Sequence, residues 1–111
     1  MQDCLFCRIV AGTIPADRIH EDEHTLAFRD IQPQAPFHAL VIPKAHVVSL
    51  LELDPGQAGP LMAAVQSVAT QAGLGEDGFR VVSNIGRDGG QSVFHLHWHV
   101  LGGRALTWPP G

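Results

Sequence analysis

Apolar and polar positions change period several times along this chain, and each change marks an element. Leu5 to Ala11 has the pattern of one short helix, stopped by Gly12 and Pro15. Arg18–Glu21 and Thr25–Arg29 predict two short strands around the polar turn Asp22-Glu23-His24. Gln32 to Pro36 is a loop, because its two prolines exclude regular structure. Phe37 to Ile42 then predicts a strand ended by Pro43, and Val47 to Leu53 suits a short helix. Asp54 begins the longest helical signal, with Pro55 at the first position and Gln57 placed to close a capping box. Ala58, Leu61, Met62, Val65, Val68, Ala69 and Ala72 share one stripe at helical spacing, and Gly73 stops it. Pro60 conflicts with an unbroken helix, so the helix either kinks there or starts afresh near it. Phe79–Ile85 is a Val-rich strand and Gly86–Ser92 a loop. This order predicts an α+β fold with a mainly antiparallel five-stranded sheet and two helices covering one face.

The last predicted strand carries the chemistry. In His95-Leu96-His97-Trp98-His99-Val100-Leu101 three imidazoles alternate with large apolar side chains. Successive side chains of a strand point to opposite faces, so the histidines line one face while Leu96, Trp98 and Val100 anchor the other. Two functional readings follow: a three-histidine metal site, or a nucleophilic imidazole whose neighbours share protons and position a leaving group. The preceding loop favours the second. Gly86, Gly89 and Gly90 let the backbone approach a ligand, and Gln91 and Ser92 add donors at the strand entrance. A phosphate held against a neutral imidazole fits both features and points to phosphoryl or nucleotidyl chemistry.

Composition narrows the classes. The chain has 111 residues, 45% of them hydrophobic, which suits one compact domain over residues 1–111. A formal charge of -4 and the lack of a basic run argue against polynucleotide binding, whereas a small phosphate-bearing ligand needs only a few local donors. No segment has the unbroken apolar length of a membrane helix, and Met1-Gln2-Asp3-Cys4 lacks the basic and apolar run of a leader, so the expected location is the cytoplasm. The two cysteines form Cys4-Leu5-Phe6-Cys7, which reads as half a zinc site, a redox pair or two incidental small side chains. Three residues leave no room for the strand that precedes a redox motif.

These motifs together resemble the histidine triad superfamily, whose signature alternates three histidines with apolar residues as His95 to Leu101 does. The likeness extends through Cys4-x-x-Cys7, Phe28-x-Asp30-Ile31-x-Pro33-Gln34-Ala35-Pro36-x-His38, Val41-Ile42-Pro43-Lys44-x-His46 and Gly89-Gly90-Gln91-Ser92-Val93. It ends in Trp108-Pro109-Pro110-Gly111, which resembles the tail of the Hint branch, the purine nucleoside phosphoramidases.

That resemblance implies a histidine triad fold and a role for each matching position. His97 is implied as the nucleophile that forms a nucleotidyl-histidine intermediate, with His99 contacting phosphate and leaving group and His38 in the same polar network. Ser92 and Gln91 are implied to hold the leaving group, with Gly90 in the adjoining loop. Asp30 is implied to bind ribose hydroxyls, and Asn84 to act on the ribose-phosphate side. Phe6, Ile9, Ile14, Ile31 and Leu40 are implied to wall the purine pocket. A histidine rather than a glutamine at position 99 favours hydrolysis over transfer. No cofactor is required for catalysis on this reading. Metal-containing relatives imply a structural zinc on Cys4, Cys7, His46 and His95. The family's proteins are homodimers, which implies that Trp108 reaches the partner's site. The expected activity is hydrolysis of the P–N bond of purine nucleoside 5′-phosphoramidates, adenosine 5′-monophosphoramidate among them, and of mixed aminoacyl-adenylate anhydrides. The alternatives are a dinucleoside polyphosphate hydrolase, a three-histidine metallohydrolase and a non-enzymatic nucleotide-binding protein.

Overall fold

A computed structural model describes residues 3–111; Met1 and Gln2, part of the leader argument, lie outside the described residues. The elements run α1 (Leu5–Ala11), β1 (Arg18–Glu21), β2 (Thr25–Arg29), β3 (Phe37–Pro43), a 3-10 turn (Pro55–Gln57), α2 (Ala58–Gln71), β4 (Phe79–Ser83) and β5 (Trp98–Gly102). The five strands form one sheet in the order β1-β2-β3-β5-β4, and every neighbouring pair is antiparallel. This is the α+β architecture expected from the pattern. No helix of the described residues is long and apolar enough to cross a membrane.

Strand register decides which side chains share a face. Ala27 pairs with Val41, Ala39 with Val100, and Val41 with Trp98, so these residues point to one side. There they pack against Leu61, Ala64, Val65, Val68 and Ala69 of α2. Leu26, Phe28, Leu40 and Ile42 point the other way, where they bury Phe6 and Ile9 of α1. The two helices therefore cover opposite faces, which corrects the expectation that both lie on one. Full burial of a side chain such as Leu26, Ile42, Leu61 or Leu96 contributes about 1.5–3 kcal/mol.

Two further expectations change. Val47–Leu53 is not a helix: Val47 C=O accepts a strand-like bond from Leu96 N–H (2.6 Å), and the Ser49 hydroxyl accepts from Leu51 N–H (3.1 Å) to set a turn. The helix start is divided. Asp54 accepts from Gly56 N–H (3.0 Å) to cap the 3-10 turn, while Gln57, preceding α2, makes no side-chain capping bond. The expected capping box does not form. Pro60 is the third residue of α2, where a backbone N–H has no partner within the helix, so it costs no bond and no kink follows.

Candidate active site

The histidine segment is less regular than a strand six or seven residues long. β5 begins at Trp98, and His95 to His97 approach it through an irregular stretch. Alternation still holds: Leu96, Trp98 and Val100 join the cluster beneath α2, while His95 and His97 turn toward α1. Phe6 meets both rings edge-on, at centroid distances of 5.9 Å to His95 and 5.1 Å to His97. His99 pairs across the sheet with Leu40, placing it on the α1 face beside His38, whose own partner is Leu101.

Hydrogen bonds to the backbone fix the protonation pattern of these rings. A carbonyl only accepts, so His97 Nδ1 donates to His95 C=O (2.8 Å) and a neutral His97 keeps its lone pair on Nε2. Among the described residues nothing hydrogen-bonds that Nε2. His38 is set the opposite way: its Nδ1 accepts from Gln34 N–H (3.0 Å), so the proton of the neutral ring sits on Nε2. That Nε2–H lies 2.9 Å from His99 Nδ1, leaving neutral His99 with its own proton on Nε2. The outcome is a lone pair on one imidazole and an N–H on its neighbour, with ring centroids 5.2 Å apart. Burial pushes His99 down to about 4, helped by repulsion from His97 and His38 and opposed by Asp30. Burial also lowers His38, outweighing the pull of Asp30, so its 3.4 Å approach to the Asp30 carboxylate joins a neutral ring to an anion near neutral pH. Asp30, His38 and His99 offer ligand atoms within 4.8 Å of one another. The Nε2 proton of His38 makes that group a hydrogen-bond chain rather than a cation cage.

A cleft of about 310 Å³ opens over these rings, at the lower end of small-molecule sites. His97, His99, Ser92 and Asp30 supply its polar lining, with Phe6, Ile9, Ile14, Phe28 and Leu40 as apolar walls and Ile31, 94% exposed, on the rim. Leu5, Pro15, Ala16, Arg29, Gln32 and Val93 complete it, and the sequence gives none of them a site role. Phe28 had a signal, since it shares strand parity with Leu40. A separate cavity of about 390 Å³ beside Lys44 and His24 brings no catalytic pair together, and Lys44 is bound to Glu21 there at 2.8 Å.

The remaining expected positions lie outside the cleft lining. Gln91 is buried, and its amide is used internally: Oε1 accepts from Gly86 N–H (3.0 Å), while Nε2 donates to Val48 C=O (2.7 Å) and Val93 C=O (3.2 Å). Asn84 donates to Gly89 C=O (2.7 Å) and braces the same loop. A Cβ on Gly89 would lie 2.3 Å from Ile85 O, so only glycine fits that approach. Gly90 closes the loop through its N–H to Arg87 C=O (3.1 Å). None of Asn84, Gly90 and Gln91 lines the cleft, nor does Trp108, which is 81% exposed on a tail tied by Arg80 to Thr107 C=O (2.7 Å).

Cys4, Cys7, His46 and His95 converge next to this site. Cys4 caps α1 by accepting from Cys7 N–H (3.3 Å). His95 donates from Nε2 to Pro43 C=O (2.8 Å), which turns its Nδ1 lone pair toward Cys4 Sγ (3.3 Å) and Cys7 Sγ (3.5 Å). His46 Nδ1 lies 3.3 Å from Cys7 Sγ. Zinc with bonds of about 2.3 Å to sulfur and 2.0 Å to nitrogen separates such ligands by roughly 3.5 Å at the tetrahedral angle. The donor set and its outer carbonyl thus fit a closed structural zinc site.

Comparison with known proteins agrees with this geometry. The family model described as HIT domain matches residues 11–106. A HIT-like protein of Synechococcus elongatus is 50% identical over 113 residues, covering 99% of this chain and 98% of its own length. The crystal structure of a HIT family hydrolase from Legionella pneumophila superposes with a TM-score of 0.94 at 46% identity, over 98% of this chain and 100% of that one. A Zn-bound histidine triad family protein from Mycobacterium smegmatis superposes with a TM-score of 0.84 at 42% identity, over 93% of this chain and 76% of that one.

Proposed function

The chain belongs to the HIT domain family, and from that premise we propose that it is a nucleotide hydrolase acting on the P–N bond of purine nucleoside 5′-phosphoramidates, and on the P–O bond of aminoacyl-adenylate mixed anhydrides. The observation that carries this reading is the pairing of His97 Nε2, a lone pair facing the cleft, with the Nε2–H of His99. The hydrolase named among the structural relatives supports the reaction type.

Attack by His97 Nε2 forms a P–N bond to the imidazole and breaks the bond to the leaving amine. His95 C=O, on Nδ1–H, stabilises the positive charge that the ring gains. The Nε2–H of neutral His99 holds the leaving nitrogen, which takes up a proton from solvent as its bond to phosphorus breaks. Water then attacks phosphorus, the bond to His97 breaks, and the proton that water loses returns to solvent. Ser92, lining the cleft beside these rings, donates to the leaving group. Asp30 accepts from Gln32 N–H (2.8 Å) on Oδ1 and has lone pairs left for ribose hydroxyls. Phe6, Ile9, Ile14, Ile31 and Leu40 supply the apolar wall for a purine.

Cys4, Cys7, His46 and His95 would hold a structural zinc, which when bound ties the start of α1 to the loop before β5; the zinc-bound relative supports this. The chain works as a homodimer. Phe79 and Val81, 39% and 43% exposed on edge strand β4, support a partner there. Trp108 stands clear of its own cleft and serves its partner's. The test is steady-state hydrolysis of adenosine 5′-phosphoramidate against a dinucleoside polyphosphate, with and without chelator. Preference for the phosphoramidate with chelator resistance is expected. Preference for the polyphosphate, or loss of activity without loss of fold in chelator, overturns the assignment.

A further inference from the structure

The proton pattern of His38 and His99 depends on one backbone amide, that of Gln34. Nothing in the Gln32-Pro33-Gln34-Ala35 loop is regular structure, so something must hold that amide in line with the ring. The Gln34 carbonyl shows what does. It accepts from Arg104 Nη2 (3.0 Å) and Nε (3.3 Å), a fork closing on a single oxygen. Arg104 Nη1 donates to Ala105 C=O (3.0 Å), which braces the guanidinium on its own chain. Its bonds all go to main-chain oxygens, and among the described residues no carboxylate forms an ion pair with it.

The chain path brings Arg104 there. β5 ends at Gly102, paired with Phe37, and Gly103 turns with φ 91° directly over the Pro36 corner. A Cβ on Gly103 would lie 2.9 Å from Pro36 Cβ, so the close crossing needs glycine. The strand that delivers His99 to the site thereby also delivers, five residues later, the side chain that holds the loop facing His38.

We propose that Arg104 is a positioning residue: by clamping the Gln34 carbonyl it aims the Gln34 amide at His38 Nδ1, and so selects the ring tautomers that leave His99 with a cleft-facing N–H. The inference rests on the nucleotidyl-transfer reading above for its kinetic consequence, though not for its structural one. Without the clamp, His38 samples the Nδ1–H form. Its Nε2 then becomes an acceptor, His99 must answer with Nδ1–H, and the donor on His99 Nε2 is lost. The two rings switch together, because the 2.9 Å bond between them admits one proton.

The test is nitrogen-15 NMR of the imidazoles in the full chain near neutral pH, with kinetics alongside. In the wild type, His38 carries its proton on Nε2 and so does His99. In Arg104→Ala both rings show mixed tautomers, and kcat falls on the order of tenfold with KM little changed, as expected for a misaligned donor. Arg104→Lys, which offers one donor to the same carbonyl, recovers part of both. Gln34→Pro deletes the amide N–H while sparing its carbonyl, and reproduces the tautomer mixture. If Arg104→Ala lowers only the melting temperature and leaves the tautomers of wild type, the proposal is overturned. Wild-type rings already in mixed tautomers overturn it as well. A wild type with the expected tautomers but no phosphoramidate hydrolysis sinks the enzymatic reading alone, since the tautomer comparison needs no substrate.

Discussion

Replacing Gln91 by alanine separates two roles for a residue that the family likeness places against the leaving group. In the structure its amide joins three segments: the loop at Gly86, the extended stretch at Val48 and the chain entering the histidines at Val93. Each such bond contributes about 1 kcal/mol net. Val48 and Val93 lie near enough to solvent for water to take over part of the accepting groups, so no large additional penalty for buried unpaired carbonyls is expected. The loss is therefore about 3 kcal/mol, a large share of the 5–15 kcal/mol typical of a domain. For 111 residues the unfolding entropy is about 230 cal/mol/K, so each kcal/mol moves Tm by about 4 °C and the whole effect is a drop of about 13 °C. Urea unfolding of Gln91→Ala, with m unchanged, measures it directly. Gln91→Glu should be at least as damaging, because a carboxylate oxygen would face two carbonyls. A Gln91→Ala protein within about 0.5 kcal/mol of wild type, yet with kcat/KM reduced at least tenfold, would refute the anchoring role and return Gln91 to the substrate.

Three other expectations are independent of that one. Cytoplasmically expressed protein should carry one zinc per chain, and Cys7→Ser should lose it with a lower Tm while kcat in the remaining folded protein stays within about twofold. Because burial lowers His38 and takes His99 down to about 4, the folded state binds fewer protons than the unfolded chain between the ordinary imidazole value near 6.5 and about 4. Stability should fall as pH drops through that window, and His99→Gln should show a shallower slope in urea unfolding at pH 7 against pH 5. Deleting Thr107 to Gly111 should change preference among leaving groups while leaving Tm nearly constant, since among the described residues Arg80 to Thr107 C=O is the one hydrogen bond that ties this tail to the sheet; unchanged preference would remove Trp108 from the site.

Much of the architecture was legible because local signals and packing agreed. Gly12 and Pro15 bound α1, the turn at Asp22 separates β1 from β2, and Pro43 closes β3. Val47–Leu53 misled because its apolar residues recur at helical spacing for unrelated reasons. Val47 pairs with Leu96, Leu53 is buried beside α2, and Leu51 is 81% exposed. The placement of the two helices on opposite faces depended on strand register, which no single segment encodes. Within the site, residue types and alternation pointed to the histidines and to the cysteine pair. What they could not convey is which nitrogen of each ring bears the proton. That is set by main-chain atoms of His95, Pro43 and Gln34, and by Arg104 behind them, none of which announces itself by side-chain chemistry.

Everything proposed for the site turns on a covalent bond between His97 Nε2 and phosphorus. Rapid acid-free quenching of the protein during turnover of adenosine 5′-phosphoramidate, followed by mass spectrometry of its peptides, tests this most directly. An adenylyl adduct is expected on the peptide containing His97, formed equally in chelator and absent from His97→Ala. Turnover by His97→Ala at the wild-type rate, or an adduct on another residue, would contradict it.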